Sequence, residues 1–280
     1  MIDAILNYTF MQNALFAALM ASIVTGIIGT IAIEKKLISM SGGIAHASFG
    51  GIGFGYLVGF EPIWGGLVFA IGSSVLISKI SKNSKMKADT MTGILWSFGM
   101  ALGILFISLA PGYMPDMTSY LFGDILSVSS GSLIYMALFT VIILVVFIML
   151  FNHLIIYLFD ENYAKARGIN TKLLEWLVYI MIPIGIMVLI KIVGIILTIA
   201  LMTIPVSIAK LLCKSIKQVI WVSMLLSAVF SLAGLTIAYY VNIPSGVCII
   251  LLSTVVYLIL LAVKRRIQKR LHDQRVHGAK

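Results

Sequence analysis

The sequence predicts an all-α fold, a polytopic bundle of eight or nine transmembrane helices, on three observations. Only 11% of the 280 residues are charged and 61% are hydrophobic, whereas about one-quarter of a soluble domain is charged. Apolar runs of about 20 residues recur along the chain, each long enough at about 1.5 Å per residue to cross a hydrocarbon layer about 30 Å thick. The basic residues sit in short clusters between these runs, not along one soluble face. A water-soluble core of this composition is excluded.

Spans are expected near 12–33, 37–59, 64–81, 90–110, 132–151, 173–190, 193–212, 218–240 and 244–263. They make one transmembrane domain over 1–263, followed by a basic tail over 264–280. The opening stretch from Met1 to Val24 has no basic leader region and no small-residue cleavage site, so it reads as the start of the first span. Segment 37–59 is rich enough in glycine to bend. Two runs almost touch at Lys191-Ile192-Val193-Gly194, and fusing them leaves eight spans.

Alternating nine spans places loops 34–36, 82–89, 152–172 and 213–217 and the tail on one side, with every Lys and Arg except Lys191. Positive residues stay on the cytoplasmic side of a cell membrane, so the C-terminus is expected inside and the N-terminus outside. The outer face carries Asp3, Glu61, Asp116 and Asp124 against Lys191. Those acids read either as a mildly acidic entrance for cations or as solvated loop residues. The net charge of +10 does not predict a nucleic-acid partner. A basic tail directly after a span instead pins the helix end against anionic membrane lipid. His272 and His277 lie in that tail without a ligand cluster, and Cys213 and Cys248 lie in apolar segments without CxxC spacing.

No Walker A, HExxH or GxSxG sequence occurs, so neither an enzyme nor a tightly bound cofactor is expected, and any energy source lies on another chain. Intramembrane ionisable residues are costly and therefore functional candidates. Only His46 falls deep within a span, while Glu34, Asp89 and Glu175 fall near span ends. At helical spacing Gly43, Ala47, Gly51 and Gly55 form a small-residue stripe suited to close helix contact. The adjacent face carries Ser39, Gly42, His46, Gly50 and Gly53, where glycine gaps could admit water or an ion. Two readings of His46 stay open: an interhelical hydrogen bond, or a role in transport. A neutral imidazole suits zinc, manganese or ferrous iron better than calcium.

Further along, Thr198, Met202 and Thr203 lie near Pro205, which removes one helix hydrogen bond and can free a carbonyl. Met202 reads as a soft ligand or as core filler. The loop FDENYAKARGINTK has an acidic start at Asp160 and Glu161, a helix-favouring middle through Ala164, and Gly168 as a stop. That pattern predicts a short capped helix, either a docking element for a partner or an ordinary surface turn.

Five segments together resemble the permease subunits of zinc- and manganese-type ABC importers: SGGIAHASFGG around His46, LFGDILSVSSG at 121–131, FDENYAKARGI at 159–169, VGIILTIALMTIPVSIAKLL at 193–212 and NIPSGVCIILLSTVVY at 242–257. The resemblance covers residues 14 to 260. It implies a homodimer or paired permeases, two cytoplasmic ATPase subunits and an extracytoplasmic metal-binding protein that delivers a transported divalent ion. It also implies that Asp160, Glu161, Ala164 and Gly168 belong to a coupling helix received by the ATPase, and that Pro205 and Pro244 lie in helical cores. In many members an Asp stands four residues before the His and a proline follows it; here Gly42 and Phe49-Gly50 take those places. The competing function is an ATP-independent secondary carrier or channel for cations, which usually needs intramembrane acids that these spans almost lack.

Overall fold

The computed structural model describes residues 7–83, 88–111, 121, 123, 125–241 and 243–277, and among them every regular element is helical. In chain order these are α1 (Thr9–Glu34), α2 (Ile38–Val58), α3 (Pro62–Asn83), α4 (Ala88–Leu109), α5 (Ser130–Met149), α6 (Phe151–Phe159), α7 (Glu161–Ala166), α8 (Thr171–Leu212), α9 (Ile216–Val241) and α10 (Ser245–His277). Asp3, Asp116 and Asp124 lie outside the described residues, as do the side chains of His272 and His277.

Seven of these helices, α1, α3, α4, α5, α8, α9 and α10, are long and apolar enough to cross a membrane. Counted by length and composition alone, this is below the expected eight or nine for two reasons. Helix α2 coincides with the 37–59 run, but its glycines, serines and His46 dilute its apolarity; it runs unbroken from Ile38 to Val58. Helix α8 takes up both the 173–190 and 193–212 runs in one 42-residue segment.

Segment α8 is not straight. Gly194 has φ 76° and ψ 172°, a left-handed backbone that glycine tolerates without steric cost. Gly185 abuts Ile28, while the next residue of α1, Gly29, abuts Met202 and Val206. Along a straight helix positions 185 and 202 would stand about 25 Å apart. The chain therefore doubles back at Gly194 into a hairpin, with arms at 171–193 and 195–212. Gly123 packs against the backbone of Val193 and Gly194 at this turn, and the Ile125 N–H beside it donates to Ser245 Oγ at 3.1 Å. Pro205 lies inside the second arm, but Pro244 sits immediately before α10 and not in a helical core.

Lipid is as apolar as a leucine side chain, so membrane helices associate through packing and hydrogen bonds more than through the hydrophobic effect. Helix α2 shows the consequence: every residue from Met40 to Gly53 is buried. It lies between α3 and α4, with Gly51 on the backbone of Gly65 and Gly66, Gly55 on Pro62, Ala47 on Gly99 and Gly43 on Thr92. The predicted small-residue stripe is thus the packing surface. The outer helices turn large apolar side chains outward instead, among them Ile134, Met149, Trp221 and Leu225, as lipid contact requires.

A Cβ at Gly51 would overlap the Gly65 backbone, whereas one at Gly72 would meet nothing within 4 Å. Gly51→Ala is expected to destabilise by at least about 1–3 kcal/mol, and Gly72→Ala to be neutral or slightly stabilising. Thermal unfolding of the two variants in one detergent checks the contrast.

Candidate functional site

His46 is 7% exposed on the enclosed helix α2, and its ring stacks on Trp96 of α4 with centroids 3.9 Å apart and planes 14° from parallel. Nδ1 is buried without a hydrogen-bond partner. The interhelical hydrogen bond that was one reading of this residue is therefore absent at that nitrogen. The ring lines a cleft of about 530 Å³ with Trp96, Ile196, Ile199, Ala200 and Thr203. The four residues from the second arm of α8 repeat at helical spacing on one face. Thr203 Oγ1 donates to the Ile199 carbonyl at 2.5 Å, leaving the oxygen lone pairs uncommitted.

The other expected pathway residues divide. Gly42, one turn before His46, is buried behind two lining side chains and is not itself part of the cleft wall: a Cβ there would stand 3.5 Å from Ile199 Cδ1 and 3.6 Å from Trp96 Cζ3, in ordinary contact. Gly50 and Gly53 do not open gaps beside His46, because they pack on α4 at Gly99 and Gly103. Ser39 is exposed at the start of α2 and is not part of the cleft wall. Met202 is buried outside the cleft, against Gly29 of α1. Among the described residues no group of three or more His, Cys, Asp or Glu could hold a metal ion. Thr203 was among the residues noted near Pro205, whereas Trp96, Ile196, Ile199 and Ala200 were missed in the sequence, where they look like ordinary apolar span residues.

A second constellation gathers where α1 and the hairpin end. Asp160 caps α7, accepting from the N–H groups of Asn162 at 2.8 Å and Tyr163 at 3.1 Å. Gly168, with φ 73°, closes it through Gly168 N–H to the Lys165 carbonyl and Ile169 N–H to the Ala164 carbonyl. The expected capped helix is present. Its Ala164, however, is fully buried, and the large hydrophobic side chains exposed beside it are Phe159 at the end of α6, 82% exposed, and Tyr163, 48% exposed.

Ion pairs tie this short helix to the bundle. Glu161 pairs with Lys165 at 2.8 Å and Lys35 at 3.6 Å, and Lys35 Nζ also lies 3.3 Å from the centre of the Tyr157 ring. Its neighbour Glu34 pairs with Lys210 at 3.0 Å, and Lys264 Nζ donates to the Leu211 carbonyl at 3.0 Å. The hydrogen bond from Lys165, helped by the charge of Lys35, holds the Glu161 carboxyl below its usual value. Burial pulls the Lys35 ammonium down despite Glu161, and burial with the nearby carboxylates pushes the Tyr157 phenol up. The pair Lys191 and Glu61, 3.9 Å apart, lies beyond the far end of α2.

The ABC 3 transport family matches residues 7–264 of this 280-residue chain, a stretch that contains both constellations. The chain belongs to the ABC 3 transport family. Among similar proteins, the manganese import system permease protein ScaB of Streptococcus parasanguinis is 32% identical, over 99% of this chain and 98% of its own. An uncharacterized membrane protein of Synechocystis is 37% identical over 93% and 92%. The solved structure of PsaBC from Streptococcus pneumoniae in complex with Fab has a chain 32% identical that superposes with a TM-score of 0.84, over 92% of this chain and 93% of that one.

Removing the cap with Asp160→Ala is expected to cost about 1 kcal/mol of local stability, read as roughly fivefold faster amide exchange across 161–166. Because its folded pKa is depressed, the stabilisation from Glu161 is complete above the ordinary carboxylate range and is lost as pH falls through the folded value. Protection over the same segment, corrected for the intrinsic pH dependence of exchange, should therefore fall as pH drops below the ordinary carboxylate range, and Glu161→Gln should remove that acid-side change.

Proposed function

We propose that the chain is the membrane-spanning subunit of an ATP-driven importer for divalent transition metals, working as a homodimer with separate cytoplasmic ATPase subunits. The observation that carries this reading is a family member with a histidine-lined cleft along one arm of α8 and a capped docking helix ion-paired toward the end of that same arm. Relatives named for manganese import support the substrate class. The clustering of ion-paired lysines at the α7 end supports a cytoplasmic position for that face and for the C-terminus. An extracytoplasmic binding protein then meets the opposite end, near Glu61 and Lys191.

In this mechanism the ATPase grips Phe159 and Tyr163, and its movement passes from Glu161 through Lys35 and Glu34 of α1 to Lys210. That lysine ends the arm that lines the cleft, so displacement there widens or narrows the space around His46. The metal is cargo, and ATP is consumed on the partner. An ATP-independent carrier is the second reading, but such carriers usually need intramembrane acids, and among the described residues Glu34, Asp89 and Glu175 all lie near helix ends.

His46→Ala should reduce ATP-driven metal uptake at least tenfold in proteoliposomes while the ATPase still co-purifies; unchanged uptake would overturn the pathway role. Uptake by the chain without ATP or its ATPase would favour the carrier. Phe159→Ala with Tyr163→Ala should weaken ATPase association by about 10-fold or more, as loss of exposed aromatic anchors does, with uptake falling in step.

A further inference from the structure

We infer that the ATPase partner seats an acidic side chain in the cavity where the ends of α1, α6, α8 and α9 meet, and that Lys214 is the residue that receives it. The inference rests on the ATPase-driven reading above and deepens it by naming a second contact beside α7.

The cavity measures about 320 Å³, and its wall includes two lysines, Lys210 and Lys214, one carboxylate, Glu34, and the apolar side chains of Leu158, Ile216 and Val219. Its charges do not balance. Glu34 is taken by Lys210 at 3.0 Å, and among the described residues no carboxylate pairs with Lys214. Lys214 is exposed, and the bond it makes comes from its backbone N–H, which donates to Gln218 Oε1 at 3.4 Å. Ser215 Oγ in turn accepts from the Gln218 N–H at 3.3 Å. The start of α9 is thus capped from within the chain, and the uncommitted charge of the cavity is the Lys214 ammonium.

The position of the cavity selects the partner. Each element contributes terminal residues: Glu34 and Phe159 are the last of α1 and α6, Lys210 lies in the last turn of α8, and Ile216 is the first of α9. The mouth therefore opens at the helix ends toward water, not sideways onto lipid. Phe159 belongs both to the cavity wall and to the exposed aromatic face beside α7, so a protein that grips that face also reaches the cavity. An aspartate or glutamate entering there would meet the unpaired ammonium in a partly enclosed space, where charges attract more strongly than on open surface. Its methylene stem and apolar neighbours would rest on Leu158, Ile216 and Val219. Complementary charge of this kind fixes the register of an interface.

The test measures binding of the full-length chain in detergent to the ATPase subunit that co-purifies with it, across a range of salt concentrations. Lys214→Glu is expected to weaken association about tenfold or more at low salt, and Lys214→Gln to weaken it less while flattening the salt dependence. Lys269→Glu, an equal reversal at an exposed lysine of α10 outside the cavity, should change binding less than about twofold. Unchanged melting temperatures of the three variants confirm that each is folded. If Lys214→Glu weakens binding no more than Lys269→Glu does, while Phe159→Ala with Tyr163→Ala still weakens it, the acid-receiving cavity is overturned and the docking role of α7 stands. If Lys214→Glu leaves ATPase binding intact but abolishes retention of phosphatidylglycerol in native mass spectrometry, the cavity holds lipid and the inference is equally overturned. If the unaltered chain binds no ATPase, the importer reading itself fails.

Discussion

The contact between the backbones of α2 and its two neighbours is the constraint on which the cleft depends. Where lipid competes equally for apolar side chains, close approach wins by packing, and only small residues permit it. Ala47 resting on Gly99 seats α2 on α4. His46 immediately precedes Ala47, and Trp96 lies one turn before Gly99, so the contact that locks the two helices also brings the rings face to face at 3.9 Å. On the other side Gly51 and Gly65 bring α3 equally close. The imidazole is thus held at a fixed depth by neighbours and stacking, without any hydrogen bond at Nδ1.

The second arm of α8 forms the opposing wall, and α1 holds that arm at two points. At mid-depth the π segment Thr25–Gly29 presents Gly29 to Met202 and Val206. Wide π turns are uncommon and concentrate at functional positions. At the helix end Glu34 holds Lys210, beside the Lys35 pair with Glu161. Movement of α7 therefore has a short material route to the wall of the cleft, through one helix and two ion pairs. These pairs are partly exposed, and individually such pairs contribute little to stability. Their use is directional: they join elements that would otherwise slide independently.

How much of this was legible follows from which forces leave a local trace. Composition and run length determine membrane residence, and both are written in the residues without reference to any partner. Asp160 and Gly168 cap α7 through bonds spanning two to five residues, so their pattern was readable too. The hairpin at Gly194 left a clue in the touching runs, but its reversal is evident only where Ile28 and Gly29 meet Gly185 and Met202. The role of Met202 could not be read, since ligand and filler have the same local sequence and differ only in what α1 places opposite. Gly50 and Gly53 misled for the same reason. A glycine looks like a gap until another helix is known to fill it. Trp96 was silent because nothing in its own segment refers to His46.

The proposed pathway role also accounts for how weakly the histidine is supported. Ligating histidines in stable metal sites usually donate the other ring N–H to a carboxylate or carbonyl, which fixes the tautomer and strengthens the ligand. His46 has a stacked tryptophan and no such acceptor at Nδ1. A buried polar atom left unpaired costs about 1–3 kcal/mol, which the ring stacking and close packing around His46 offset. The absence of a carboxylate at Gly42 removes the other means of tight capture. On the proposed reading, a cleft with this donor set would give a metal ion a brief stop in place of a resting site, and a small displacement of the α8 arm would then be enough to let it go.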